Sequence, residues 1–347
     1  MDGVGLRKLS STNAFVVTDL EGVPSFGVVR SAPKILQGGA KDLARSMTYT
    51  FASFEMQRGG ASGGINAAPE ERDEALENFV TEIRDDVSTG MLGLNAGKGI
   101  LSSSFQDLYD IDARSAMRFE SHGEDNLETY LTALGPIVSA DRVVTLKDKT
   151  VAIEGFGEHG PAMVDLVEER GGKLISLSTL SGSITDSSGL NANDLRERWN
   201  ANGIDFVKSS DGDGEPAWKV FQSGADVLFT GSKMGAVNHL TAEKLEILAL
   251  VPHQPIPFTA RALAILQRKN TIVVPDFIAV AAPIFASWPD EKTDSSQIIQ
   301  FAGDQIETVL DEVSKHDDGL FLGACYRAES FLETWQESPL FGRPLAS

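Results

Sequence analysis

The chain has 347 residues, 41% of them hydrophobic and 23% charged, and carries a formal net charge of −20. That size accommodates about two domains with sizeable cores. The acid excess excludes a nucleic-acid partner and an anionic membrane surface, because no basic stripe is present to meet phosphates.

The first segment reads as mixed α/β. Phe15-Val16-Val17 and Phe26-Gly27-Val28-Val29 are predicted strands, joined by a turn at residues 21–24. Helical periodicity covers residues 41–54 and 70–87. Between these helices, residues 58–64 hold Gly59, Gly60, Gly63 and Gly64, too much glycine for helix or strand.

From about Val144 the pattern changes to alternating short apolar runs and helices. Strands are predicted at residues 151–153, 174–177, 227–230, 247–251 and 271–274, and helices at 160–170, 192–201, 242–245 and 260–267. Such alternation predicts a doubly wound parallel sheet. The expected organisation is an α/β domain over residues 1–140, a Rossmann domain over 141–290, and C-terminal helices over 291–347 that return to the first domain. The acidic run Ser209 to Glu215 reads as a solvated turn, lacking the spacing of a calcium loop. Cys325 is the single cysteine, so an internal disulfide is precluded and a reducing compartment is expected. The opening segment lacks a signal peptide's apolar core, and the apolar run at residues 277–288 is too short to span a membrane. A cytoplasmic location follows as the expectation.

The most specific motif lies between the first two strands of the alternating segment. Gly155, Gly157 and Gly160 stand in G-x-G-x-x-G spacing, with a strand before and a helix after. Gly155 would allow the tight turn, Gly157 the approach of a pyrophosphate, and Gly160 close packing of helix on strand. The helix N-terminus would then offer N–H groups to phosphate. A glycine-rich turn without a ligand is the alternative.

Six motifs in order resemble the glutamate/leucine/phenylalanine/valine dehydrogenase family. Gly27 to Pro33 resembles its GGxRxxP strand, and Leu43 to Tyr49 its LxxxMTx helix. Gly59 to Ile65 resembles its GGGKGGI loop, and Leu131 to Gly135 a T-A-x-G turn. Gly155-Phe156-Gly157 resembles its GFG phosphate turn, and Pro275 to Ala279 its PDxxxNAGG segment. The resemblance implies a substrate domain followed by a Rossmann domain, NAD or NADP as cofactor, a small-molecule substrate and a homo-oligomer. It places Gly155, Phe156, Gly157 and Gly160 at the pyrophosphate, Thr132 at the nicotinamide amide and Thr179 at the position of the ribose-binding acid.

The chemistry of the family is not carried over intact. Its carboxylate-binding lysine falls on Thr50, and its catalytic lysine falls on Ser62, with the twelve-residue spacing kept. Its aspartate falls near Gly97 or Lys98, and no carboxylate stands between Asp86 and Asp107. The asparagine of PDxxxN is Val280, and that of the ANGP turn is His253. Hydroxyls barely ionise near neutral pH and cannot replace a lysine–aspartate proton relay. Candidates for a rebuilt pocket are Arg30, Thr50, Ser62, Lys98 and His253, with Arg58 and Glu55 behind them. His159 is expected to be an exposed loop side chain, and His239 belongs to a loop at the same sheet edge as His253. No spacing suggests a metal site. Two functions follow: an oxidoreductase with an altered pocket, or a catalytically inactive relative that binds a nucleotide or assembles with an active one.

Overall fold

The computed structural model describes residues 5–208, 215–289, 293–337 and 342–346. Most of the acidic run at residues 209–215 therefore lies outside the described residues. The chain divides into two compact units, one formed by residues up to Ala116 with those from Cys325 to Leu345, the other by Met117 to Ala324. The expected boundary at residue 140 falls inside a helix of the second unit.

The first unit is built on a five-stranded sheet. Its strands are β1 (Gly5–Lys8), β2 (Ala14–Thr18), β3 (Ser25–Ala32), β4 (Gly59–Asn66) and β5 (Leu92–Ala96), in the order β1-β2-β4-β3-β5. β4 is antiparallel to β2 and parallel to β3, so the two early strands are separated by it rather than paired. α1 (Gln37–Ser53) covers one face, packing Ala40 and Ala44 against Phe15 and Val17. α2 (Arg72–Ser88) covers the other, with Phe79 and Ile83 against Val16, Val29, Ala61 and Ile65. A short α3 (Gln106–Tyr109) adds Leu108 to that core.

The glycine-rich run is thus a central strand, not a loop. Glycine is weak in strands except where another backbone must come close, and this is such a place. A Cβ on Gly60 would lie 1.8 Å from the Ala44 carbonyl oxygen of α1, and one on Gly63 2.8 Å from Val29. One on Gly64 would lie 2.5 Å from the Phe15 ring. The Gly60 N–H also donates to Thr48 Oγ1 at 2.9 Å, which locks helix to strand. From Cys325 the chain rejoins this unit. Glu329 accepts from Tyr49 Oη at 3.0 Å and pairs with Arg343 at 2.7 Å.

The second unit opens with a small ribbon, β6 (Ser121–His122) and β7 (Asp125–Asn126), and the long α4 (Leu127–Val144). Asn126 caps α4 by accepting from Thr129 N at 2.8 Å. A six-stranded sheet follows: β8 (Thr150–Glu154), β9 (Lys173–Thr179), β10 (Gly182–Thr185), β11 (Val227–Thr230), β12 (Ala249–Pro252) and β13 (Ile272–Val273), ordered β10-β9-β8-β11-β12-β13. All neighbours are parallel except the edge pair β9/β10. The strand order leaves β8 in both directions, so a topological switch point lies between the ends of β8 and β11.

Helices α5 (Gly160–Glu169), α6 (Ala192–Asn202), α7 (His239–Lys244) and α8 (Ala260–Arg268) connect the strands, followed by short α9 (Asp276–Ala279) and α10 (Pro283–Ser287). α11 (Ser295–Val313) packs on α4 within this unit, and α12 (Leu320–Glu333) carries the chain back to the first unit. Gly135 lets α4 approach α9, since a Cβ there would lie 2.4 Å from the Ala279 carbonyl oxygen. Among the described residues no helix is long and apolar enough to cross a membrane.

The packing at β4 gives a sharp expectation. Gly60→Ala should destabilise the protein by at least about 3 kcal/mol in urea unfolding, because both clashing partners are backbone. Gly38→Ala, on α1 with nothing within 4 Å of the new Cβ, should be neutral or stabilise by up to about 1 kcal/mol. Equal effects at the two positions would contradict the close-approach account.

Candidate functional site

The ends of β8, β11 and β12 converge on one set of groups. β8 ends in Glu154, whose buried side chain reaches across to β11. Its Oε2 accepts from Thr230 Oγ1 at 2.9 Å, Gly231 N at 3.0 Å and Ser232 N at 3.1 Å. Gly155 follows at φ +89°, a conformation that favours glycine, and a Cβ there would meet Ser232 N at 2.4 Å. The N–H groups of Gly155 and Phe156 donate to the Ser178 carbonyl at the end of β9. Phe156 turns inward against Trp199 and Phe206, with centroids 5.6 and 5.4 Å away. A Cβ on Gly160 would lie 2.8 Å from the Phe156 ring. Gly157, by contrast, faces open space, its nearest neighbour being the Gly155 carbonyl at 3.9 Å.

Pro161 stands in the first turn of α5, where a missing N–H costs little. Among the described residues, the N–H groups of Gly157, Glu158 and His159 donate to no protein acceptor. Three successive free donors at a helix N-terminus, beside an open glycine and at the switch point, fit a pyrophosphate.

Two histidines meet beneath this turn. His159 is buried rather than exposed, and its Nε2 lies 2.9 Å from Nδ1 of buried His253. His253 follows β12 and crosses the end of β11, where a Cβ on Gly231 would lie 2.6 Å from its ring. His253 Nε2 lies 2.8 Å from the Glu154 carbonyl oxygen, which can only accept, so Nε2 carries the proton. Nδ1 then accepts from His159 Nε2–H, and both rings are neutral. Burial, then the neighbouring His253, pushes His159 down to about 3, and burial lowers His253. The loop carrying His253 is held from below by Asp276, whose Oδ2 accepts from Ile256 N at 2.9 Å. Ile256 sits at φ +53°, strained for a β-branched residue.

Over residues 129–321, more than half of its length, the chain matches the family described as Glutamate/Leucine/Phenylalanine/Valine dehydrogenase. The chain belongs to that family. It is 25% identical over 315 residues to the NADP-specific glutamate dehydrogenase A1 of Halobacterium salinarum, covering 84% of this chain and 74% of that protein. It is also 25% identical over 316 residues to the glutamate dehydrogenase of Thermotoga maritima, covering 84% and 74%. A chain of the hetero-hexameric glutamate dehydrogenase of Thermus thermophilus superposes with a TM-score of 0.78 at 19% identity, covering 95% of this chain and 88% of that one. The L-tryptophan dehydrogenase of Nostoc punctiforme gives 0.63 at 15% identity, with 96% of each chain covered. These likenesses establish the amino-acid dehydrogenase fold with its Rossmann-type sheet.

The other positions of the dehydrogenase family can now be located. Thr132 lies inside α4, not in a turn, and its Oγ1 donates to the Glu128 carbonyl at 2.8 Å. Pro136, four residues on, has no N–H for the Thr132 carbonyl, which leaves that carbonyl outside the helical ladder. Thr179 is buried with its hydroxyl engaged, donating to the Ile204 carbonyl at 2.7 Å and accepting from Ser181 N at 3.0 Å. Thr50 is buried, and its Oγ1 donates to the Ser46 carbonyl at 3.1 Å. Ser62 is wholly buried in β4, and its Oγ has no hydrogen-bond partner among the described residues.

Arg30 on β3 and Arg58 before β4 are half-buried, and burial lowers the pKa of each. Arg58 lies over the Phe26 ring at 5.4 Å. Lys98 is exposed in the loop after β5, and Glu55 pairs with Arg327 at 3.1 Å. Val280 ends α9 by donating to the Asp276 carbonyl, and His239 begins α7. Among the described residues no group of three or more His, Cys, Asp or Glu could hold a metal ion.

Sequence reasoning named both histidines without pairing them; it gave Asp276 only within the Pro275 to Ala279 motif, and it missed Glu154. The signal for Glu154 was an acid closing an otherwise apolar strand.

The histidine pair sets a pH dependence. A buried imidazole held far below its ordinary pKa stabilises the fold fully above about pH 6.5, and that contribution is lost as pH falls toward 3. Urea midpoints of wild-type protein should therefore decline through this window, and those of His159→Gln should decline less. Parallel curves would contradict a neutral, buried pair.

Proposed function

We propose that the protein is an NAD(P)-dependent oxidoreductase of amino-acid dehydrogenase type, acting at a CH–NH2 or imine/oxo-acid centre through an altered pocket. The observation that carries this is the turn after β8, with Gly157 open and the Gly157, Glu158 and His159 N–H groups free at the switch point. In this reading Gly155, Phe156, Gly157 and Gly160 form the pyrophosphate seat. Thr132 faces the nicotinamide amide, and Thr179 marks the ribose end. The nicotinamide, when bound, supplies or accepts the hydride.

The protein's own residues must bind and orient the substrate without the family's two lysines. Thr50 and Ser62 hydroxyls do not ionise near pH 7, so they cannot activate water or anchor a carboxylate by charge. Arg30 on β3, Arg58 before β4 and Lys98 after β5 are the proposed pocket groups of the first unit, and His253 is that of the second. We place the enzyme in the cytoplasm, in line with one free, buried cysteine, and as a homo-oligomer. We place the dinucleotide-binding domain within the second unit and the substrate-binding residues within the first, which the chain rejoins from Cys325. Of the two glutamate dehydrogenases compared by sequence, that of Halobacterium salinarum is named NADP-specific and that of Thermotoga maritima is named without a cofactor.

A second reading is a catalytically inactive homologue that binds a nucleotide or serves as an assembly partner. The burial of Thr50 and Ser62 favours it, since neither hydroxyl meets solvent.

Titration with NADH and NADPH, followed by intrinsic fluorescence, tests the core of the proposal. Wild type should bind at least one dinucleotide below about millimolar. Gly157→Val should abolish binding while leaving the circular dichroism spectrum intact. No affinity for either dinucleotide would end the oxidoreductase reading. Separately, assays with glutamate, leucine, phenylalanine and valine should show no turnover near the ~1–1000 per second typical of enzymes. Robust turnover of any of them would show that other groups fill the lysine role.

A further inference from the structure

Thr179 stands where a dinucleotide-binding sheet usually presents an acid to the adenosine ribose. Its hydroxyl is spent on the Ile204 carbonyl and the Ser181 N–H, and its side chain is buried. Those bonds do something else: they draw the segment after α6, residues 203–207, over the end of β9. The next residue of that segment is Asp205. Its carboxylate accepts from Ser181 Oγ, two residues beyond Thr179, and pairs with Lys208 Nζ at 2.9 Å. Asp205 is exposed, so the carboxylate is available to a ligand. An acid has thus been delivered to the end of β9 by another element.

Two large apolar side chains flank the same link. Leu180 is 66% exposed at the β9–β10 turn, and Ile204 is 44% exposed beside Asp205. Exposed leucine and isoleucine on either side of a ribose-reading acid would present an apolar surface to a purine face. Lys208 and Ser181 hold the Asp205 carboxyl below the usual carboxylate range, so it is an acceptor at neutral pH.

Resting on the dinucleotide reading above, we propose that Asp205 is the ribose-reading residue of this protein. It accepts hydrogen bonds from the 2′- and 3′-hydroxyls and so selects NAD(H) over NADP(H), with Leu180 and Ile204 seating the adenine. A 2′-phosphate would bring a dianion against this carboxylate. The single ammonium of Lys208 is already paired with it.

The experiment is fluorescence titration of wild type, Asp205→Asn, Lys208→Ala and Gly157→Val with NADH and with NADPH. Wild type should bind NADH about tenfold or more tighter than NADPH, the scale of one charge-assisted hydrogen bond. Asp205→Asn should narrow that ratio toward unity, chiefly by weakening NADH. Lys208→Ala should keep or widen it. Asp205 is at the surface, so circular dichroism should be unchanged in these two variants. Preference for NADPH in wild type, or an unchanged ratio in Asp205→Asn, overturns the assignment while leaving dinucleotide binding standing. Absence of binding in wild type removes both the assignment and the reading beneath it. Retained binding in Gly157→Val would move the site away from the turn, and the Asp205 assignment would fall with it.

Discussion

The carboxylate of Glu154 ties the second unit's functional edge together. It is buried at the end of β8, and among the described residues no cation lies within ion-pair distance; its donors are one hydroxyl and two backbone N–H groups at the end of β11. A buried acid is tolerated only when its lone pairs are met, so the geometry of Thr230, Gly231 and Ser232 is fixed by it. Two further features depend on that placement. Position 155 must be glycine because its φ is +89° and because Ser232 N occupies the space a Cβ would need. Gly231 must remain glycine because His253 crosses above it to reach the Glu154 carbonyl. The glycine turn after β8, the switch point and the histidine pair are therefore one construction, anchored on one side chain.

The first unit is governed by a different constraint, the closeness of α1 to β4. Gly60 and the Thr48 hydroxyl bring helix and strand into near backbone contact, and the Phe15 and Val29 side chains fill the space that side chains on Gly64 and Gly63 would take. That closeness leaves little room at Ser62, which is wholly buried. Ser62 follows Gly60 by two residues and shares its face of β4, toward α1. A hydroxyl fits there, whereas an ammonium on a four-carbon stem would need an exit to water or a buried partner.

Much of the second unit was legible because parallel strands buried on both faces read as apolar runs and the helices between them carry clear starts. The strand at residues 227–230 coincides with its predicted range. What escaped had contrary local signals. β10 is a short edge strand containing Gly182, and α4 contains Gly135 and Pro136, which read as a turn until the packing on α9 supplies a reason for the glycine. β4 escaped for the same reason, since its glycines serve a neighbour distant in sequence. The histidine pair escaped because 94 residues separate its members. Only the order β8-β11-β12 brings them together.

The family's frame is carried by packing in this chain. The frame survives where its residues do structural work: Gly155 and Gly160 in the turn, Asp276 under the strained Ile256, and the glycines of β4 against α1. Thr50 on α1 and Ser62 on β4 are both buried. Thr50 is satisfied by its own helix, donating to the Ser46 carbonyl. Ser62 keeps a buried hydroxyl without a partner among the described residues, which costs about 1–3 kcal/mol relative to a satisfied group. The close packing of α1 on β4 shuts that hydroxyl away from water, the group that would otherwise meet it.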